Sequence, residues 1–222
     1  MPILGRSPSM PIPLQIPGSI LWHSSYDPSN NGTQFANGTS VSAWYNKTYF
    51  ATNNSQQSTA LAKPVYTSNV LAGKPAMLFN SAFGANMLNS AQSLFSVSSS
   101  FSIYVLAASN APSTTNQSML CKGVQDYILQ LNKGTASGKL AFYNGTNWVE
   151  SVNSFTITNY NLYCVTWNSP TFAMYVNNVS QSTTGATSNT TTSATNLIIG
   201  AQAAASPLNF FSGYIVEVLM YN

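Results

Sequence analysis

Residues 211–222 read FSGYIVEVLMYN, and from Tyr214 to Tyr221 the only charged side chain is Glu217. As a strand, its side chains alternate between two faces. Tyr214, Val216, Val218 and Met220 form one set; Ile215, Glu217, Leu219 and Tyr221 form the other. Both sets are apolar apart from Glu217. A strand covered on both faces is central in its sheet, or lies under a loop or a neighbouring chain. An unpaired buried carboxylate is costly, so Glu217 is expected to meet a lysine or backbone donors and to be structural rather than catalytic.

Upstream, short Val/Ile/Tyr/Phe-rich runs alternate with Gly, Asn and Ser clusters, and no convincing amphipathic helix occurs. The strand candidates are SILW (19–22), VSAWY (41–45), a run near Ala76–Asn80, FSIYVLAA (101–108), SMLCKG (118–123), DYILQLN (126–132), KLAFYN (139–144), SFTIT (154–158), LYCVTWN (162–168), FAMYVNN (172–178) and NLIIG (196–200). Residues 46–62 read as a long polar excursion. NKGTASGK and YNGTNW are hairpin turns, the second through Asn144-Gly145, where a positive φ is tolerated. The pattern predicts an all-β protein, a two-sheet antiparallel sandwich spanning residues 19–222. Residues 1–18 form a separate arm. Its core, PIPLQIP (11–17), is too proline-rich for a helix or a central strand and should lie extended.

Composition narrows function. Charged residues make up 5% of the 222, with a net charge of +3, against roughly 25% in ordinary soluble domains. A surface built of Asn, Ser, Thr and Gln offers little charge repulsion between copies, which favours association. The few basic residues form no stripe, so nucleic acid is not an expected partner. No run approaches the ~20 apolar residues of a membrane-spanning helix, so no membrane insertion is expected. Cys121 and Cys164 sit in apolar runs and read as buried thiols.

The order LW–x4–D (Leu21, Trp22, Asp27), VSAW, KPVY, GKPAMLFN, FSIYV, CKG, DYILQLN with GKLAFYNG, YVNN, NLIIGA and FSGYIVEVLMYN resembles the concanavalin A-like, laminin-G-type jelly-roll domain over residues 19–222. The resemblance implies that fold, which hosts lectins, glycosidases and adhesive modules alike. It also exposes departures. Where relatives are rich in aspartate, this chain reads HSSYDPSN, WYNKTY and LFNSAFG, and it owns four carboxylate side chains in all, Asp27, Asp126, Glu150 and Glu217. Calcium sites need several oxygens, usually including carboxylates, so no cofactor or metal is expected. Asp27 reads as a turn cap.

Enzyme readings fail on inventory. The paired acids of the family's E-x-D-x-x-E strand are missing. His23 has no nucleophile elbow to serve, and zinc would need more than one histidine. The chain is expected not to be an enzyme.

Two non-enzymatic readings remain. Jelly rolls preceded by a short arm resemble bacteriophage virion decoration (cement) and fibre proteins. With a reading frame that starts at Met1 and shows no export signal, this predicts a virion structural protein made in the host cytoplasm. It would form a homo-oligomer and bind other virion proteins such as the major capsid protein. The arm would dock through Ile12, Leu14 and Ile16, each contributing up to roughly 1.5–3 kcal/mol on burial, before the cost of ordering. The alternative is a carbohydrate-binding adhesin or receptor-binding module for cell-surface glycans. Its contacts would be Trp148, just after the NGT turn, and Tyr45, with loops 27–40, 46–62 and 180–195 around them.

Overall fold

A computed structural model describes residues 16–48, 53–91, 95, 100–111, 116–123, 126–133, 138–168, 171–182, 195–202 and 207–222. Ile12, Leu14 and most of the proposed arm lie outside these residues. Ile16 stands at their margin, half exposed.

Sixteen strands occur among the described residues: β1 (Ser19–Ser24), β2 (Ala43–Trp44), β3 (Ser55–Gln56), β4 (Val65–Leu71), β5 (Lys74–Phe79), β6 (Met87–Asn89), β7 (Ser100–Ser109), β8 (Gln117–Lys122), β9 (Tyr127–Leu131), β10 (Leu140–Tyr143), β11 (Trp148–Glu150), β12 (Asn161–Asn168), β13 (Thr171–Val176), β14 (Val179–Ser182), β15 (Leu197–Ile199) and β16 (Gly213–Tyr221). They form two antiparallel sheets, the sandwich that the sequence predicts. The first runs β14-β13-β12-β7-β16-β5-β4, with β1 paired to the far end of β16. The second runs β11-β10-β9-β8-β15-β6-β3-β2. Among the described residues no helix is long and apolar enough to cross a membrane.

The inner faces meet in an aromatic stack. Phe101 of β7 lies 5.9 Å from the rings of both Tyr127 and Phe142 on the opposite sheet, and 6.5 Å from Trp167 beside it on β12. Offset and tilted arrangements of this kind add to the stabilisation from burial alone. A buried histidine joins the sheets at the other end. His23 of β1 stacks on Trp44 of β2 at 5.1 Å. The Tyr45 carbonyl, 2.9 Å from Nδ1, can only accept, so Nδ1 carries the proton and Nε2 accepts from the Ser55 hydroxyl at 2.7 Å. Burial holds this imidazole at a pKa of about 4, against a smaller opposing effect of the Tyr45 carbonyl.

Turn chemistry explains the hairpins. Ala72 and Gly73 both take positive φ between β4 and β5, as do Asn177 and Asn178 between β13 and β14, the signature of tight two-residue hairpins. Gly145, at φ 88°, closes β10 onto β11, with the Asn144 side chain accepting from the N–H groups of Thr146 and Asn147.

Several expectations need correcting. PVYTSNVL, missing from the strand candidates, forms a strand, β4, of seven residues. The polar excursion contains β3, which lines up beside β2. SFTIT is not a strand. Ile157 is buried there and its carbonyl accepts from Ser109 N–H at 2.8 Å, but a turn follows at once. The alternation of the last strand is also broken. The pairing of β16 with β7 shifts between Ile215 and Glu217, leaving Val216 as a bulge. Ile215, Val218 and Met220 therefore point inward, fully buried, while Tyr214, Glu217, Leu219 and Tyr221 share the outer face. β16 is indeed central, between β7 on one side and β5 and β1 on the other.

Candidate functional site

The outer face of the first sheet is apolar where an open sheet face is ordinarily polar. Register places its side chains in rows across the strands. One row runs Trp22 (β1), Leu219 (β16), Tyr104 (β7), Cys164 (β12), Tyr175 (β13). The next runs Ser24, Glu217, Leu106, Leu162. On the other side Tyr221 faces Ser102, which faces Thr166 and then Ala173. Tyr104 and Tyr221 meet edge to face at 6.1 Å.

Two hollows lie along these rows. A cavity of about 300 Å³ is walled by Tyr104, Leu106, Leu162, Glu217 and Leu219. A second of about 380 Å³ opens near the ends of β7, β12 and β16, with Ser102, Thr166, Asn168 and Tyr221 in its lining. Tyr104 and Tyr221, in contact, stand between them. Together they give an aromatic and aliphatic floor with polar groups at one end and a carboxylate at the other, the usual make-up of a small-ligand site.

Glu217 is the polar anchor. Its Oε1 accepts the Trp22 indole N–H at 2.7 Å, so its partner is neither the lysine nor the backbone donors expected from sequence. Burial pushes its pKa up, opposed by the indole and by the charge of Lys47. Lys47 Nζ lies 5.5 Å from the centre of the Trp22 ring and 2.7 Å from Asp27 Oδ2. Asp27 caps its turn as expected, accepting Asn31 N–H at Oδ1. Burial opposes its ionisation, but Lys47 and the N–H groups of Gly32 and Asn31 outweigh it, so its pKa falls below the usual carboxylate range. Trp22 is itself fixed by its backbone: its N–H donates to Asn46 Oδ1 and its carbonyl accepts Lys47 N–H, both at 2.9 Å.

Trp148 and Tyr45 are not part of this face, and the structure does not bring them together. Trp148 is on β11, at one edge of the second sheet, packed 5.2 Å from Tyr143 with Lys133 Nζ 5.3 Å above its ring. Tyr45 follows β2 at the opposite edge, 38% exposed. Seven inter-strand steps separate those edges, on the order of 30 Å along the sheet. Of the expected contact loops, residues 183–194 and 49–52 lie outside the described residues. Trp44 and Trp167 are core. The residues that sequence reading missed are Tyr104, Tyr221, Leu219 and Leu106. The available signal was the lack of polar residues at alternate positions in FSIYVLAA and YIVEVLMY.

Both thiols are buried and outside any disulfide. Cys164 lies on the floor beside Tyr104, and burial pushes its pKa up to about 11, so it contributes no reactive thiolate at neutral pH. Among the described residues no three His, Cys, Asp or Glu side chains gather as a metal site.

Two stacked antiparallel sheets in this strand order define a jelly-roll sandwich. Residues 80–222 match the family model of the concanavalin A-like lectin/glucanases superfamily, and the chain belongs to that superfamily. Domain 4 of AbnA, a GH43 extracellular arabinanase from Geobacillus stearothermophilus, in complex with arabinotriose, is similar in fold. Its TM-score is 0.56 at 13% identity, covering 92% of each chain. Trypanosoma rangeli sialidase in complex with 2,3-difluorosialic acid is similar at TM-score 0.59 and 12% identity, over 94% of this chain and 31% of the sialidase. This chain thus spans about a third of that enzyme's length. No curated protein matches in sequence.

Proposed function

We propose that the chain is a non-catalytic carbohydrate-binding domain whose ligand lies on the outer face of the first sheet. The observation that carries this reading is the Tyr104–Tyr221 pair flanked by two hollows, with Glu217 set in the wall of one. Sugar rings present C–H faces that pack on aromatic and aliphatic surfaces, and hydroxyls that donate to a carboxylate. The face offers both. The arabinotriose complex of a domain with the same fold supports the choice of ligand class. Each of the four carboxylates is already engaged, Asp27 by Lys47, Asp126 by Lys122, Glu150 by Lys133 and Glu217 by Trp22. None stands as a free acid or base, which supports a binding rather than a hydrolytic role. Titration calorimetry against soluble oligosaccharides tests it: binding that weakens at least about tenfold, or ~1.4 kcal/mol, in Tyr104→Ala supports the site. Retention of full affinity by that variant refutes it.

A second reading is favoured by the uncharged, apolar character of the same face and by the 5% charge of the whole chain. In it the protein is a virion decoration protein that self-associates, with Ile12, Leu14 and Ile16 docking on a neighbouring subunit. Sedimentation of the full chain and of a variant lacking residues 1–17 tests it. Assembly that disappears on truncation supports it, and a monomer in both cases ends it.

A further inference from the structure

Resting on the carbohydrate reading of this face, we infer that its ligand is an uncharged oligosaccharide lying across the strands, and that acidic sugars are excluded. Among the side chains of β1, β16, β7, β12 and β13, Glu217 is the only charged one at neutral pH, His23 being buried and neutral. It stands in the wall of the cavity beside Tyr104, Leu106 and Leu219.

The cation whose charge acts on Glu217, Lys47, is committed to Asp27 at 2.7 Å, and Lys74 of the neighbouring β5 sits over the Tyr26 ring at 4.9 Å. Glu217, Asp27 and Lys47 together leave one net negative charge, two carboxylates against one ammonium, at this end of the face. A sugar carboxylate entering the cavity would meet Glu217 in a partly desolvated setting, where like charges repel far more than in water. Recognition of an acidic sugar calls for a guanidinium or an uncommitted ammonium. The chain's one arginine, Arg6, lies outside the described residues. A neutral sugar has the opposite fit, because its hydroxyls donate to Glu217 and its ring lies on Tyr104 and Leu219. The exclusion acts by repulsion, a common source of specificity.

Shape sets the length. The row from Trp22 to Tyr175 crosses five strands, a span of roughly 19 Å at the usual inter-strand spacing. That length suits several linked sugars rather than one.

Calorimetry with the full-length chain at neutral pH, using arabinotriose, cellotetraose and sialyllactose as probes, tests the inference. At least one neutral probe is expected to bind thirtyfold or more tightly than sialyllactose. Glu217→Gln, which keeps an acceptor for the Trp22 indole, is expected to shrink that ratio at least threefold; its thermal unfolding reports whether it still folds. Sialyllactose binding as tight as the best neutral probe overturns the inference while leaving the glycan site standing. An unchanged ratio in a folded Glu217→Gln also overturns it. Binding of no probe removes the glycan site, and this inference with it.

Discussion

The two sheets carry the same kinds of side chain on their outer faces and treat them differently. On the second sheet a row runs Trp148, Tyr143, Ile128, Cys121, Ile198, Leu88 across six strands. Ile128, Cys121 and Ile198 are buried there beneath the protein's own Trp148, Tyr143, Phe210 and Leu88. On the first sheet the equivalent row stays partly open, and hollows form beside it. The aromatic residues of one face serve as a lid for their own aliphatics, while those of the other stand beside uncovered space. Composition alone cannot separate these two outcomes; only the presence or absence of cover does.

That contrast can be broken in several places. The largest effect is expected behind the second sheet, where Lys122 and Asp126 pair at 2.7 Å in nearly complete burial. Asp126→Ala removes the carboxylate paired with a buried ammonium and should cost about 3–5 kcal/mol in urea unfolding. Next comes a matched pair of truncations. Ile128→Ala, under the lid, should cost about 2–4 kcal/mol, whereas Leu106→Ala on the open face should cost less than half as much. Equal losses would mean that the two faces are equally closed.

A pH effect of similar size belongs to His23, which joins β1 to the second sheet. Its pKa is about 4 in the folded protein against 6.5 ordinarily. The unfolded chain therefore takes up a proton first as pH falls, so stability should decline from about pH 6.5 and level off below about pH 4. Two and a half units correspond to roughly 3 kcal/mol at 1.36 kcal/mol per unit. Unfolding midpoints at pH 7 and pH 4.5 measure this, and His23→Gln should flatten the difference. The smallest stability change is expected from Tyr104→Ala, on the order of 1 kcal/mol, although it should remove at least tenfold in glycan affinity.

Much of the fold was legible because strand chemistry is local. FSIYVLAA, DYILQLN and LYCVTWN each became a strand, since a buried strand needs little beyond an apolar run bounded by turn residues. PVYTSNVL was missed because Ser68 and Asn69 dilute its signal, and Asn69 takes a positive φ of 56° inside the strand. SFTIT misled because one buried isoleucine looks like a strand without making one. The site was harder to read. Trp22 and Glu217 touch across 195 residues of sequence, and no local pattern announces such a contact. The phase of Glu217 depends on a bulge that the sequence does not mark. Trp148 stands out in the sequence as an aromatic after a turn, but it packs beside Tyr143 against the buried Ile128, Cys121 and Ile198 of its own sheet.

The spare residue at Val216 works like a phase shifter in a repeating signal. Had Val216 instead taken an ordinary place in the ladder, everything downstream would change sides, turning Glu217, Leu219 and Tyr221 toward the interior and presenting Val218 and Met220 to solvent. The carboxylate would then sit in hydrocarbon, and the groove would lose its wall, its anchor and one of its two rings in a single step. The make-up of the whole outer face beyond Ile215 is thus keyed to one amino acid that drops out of register with β7.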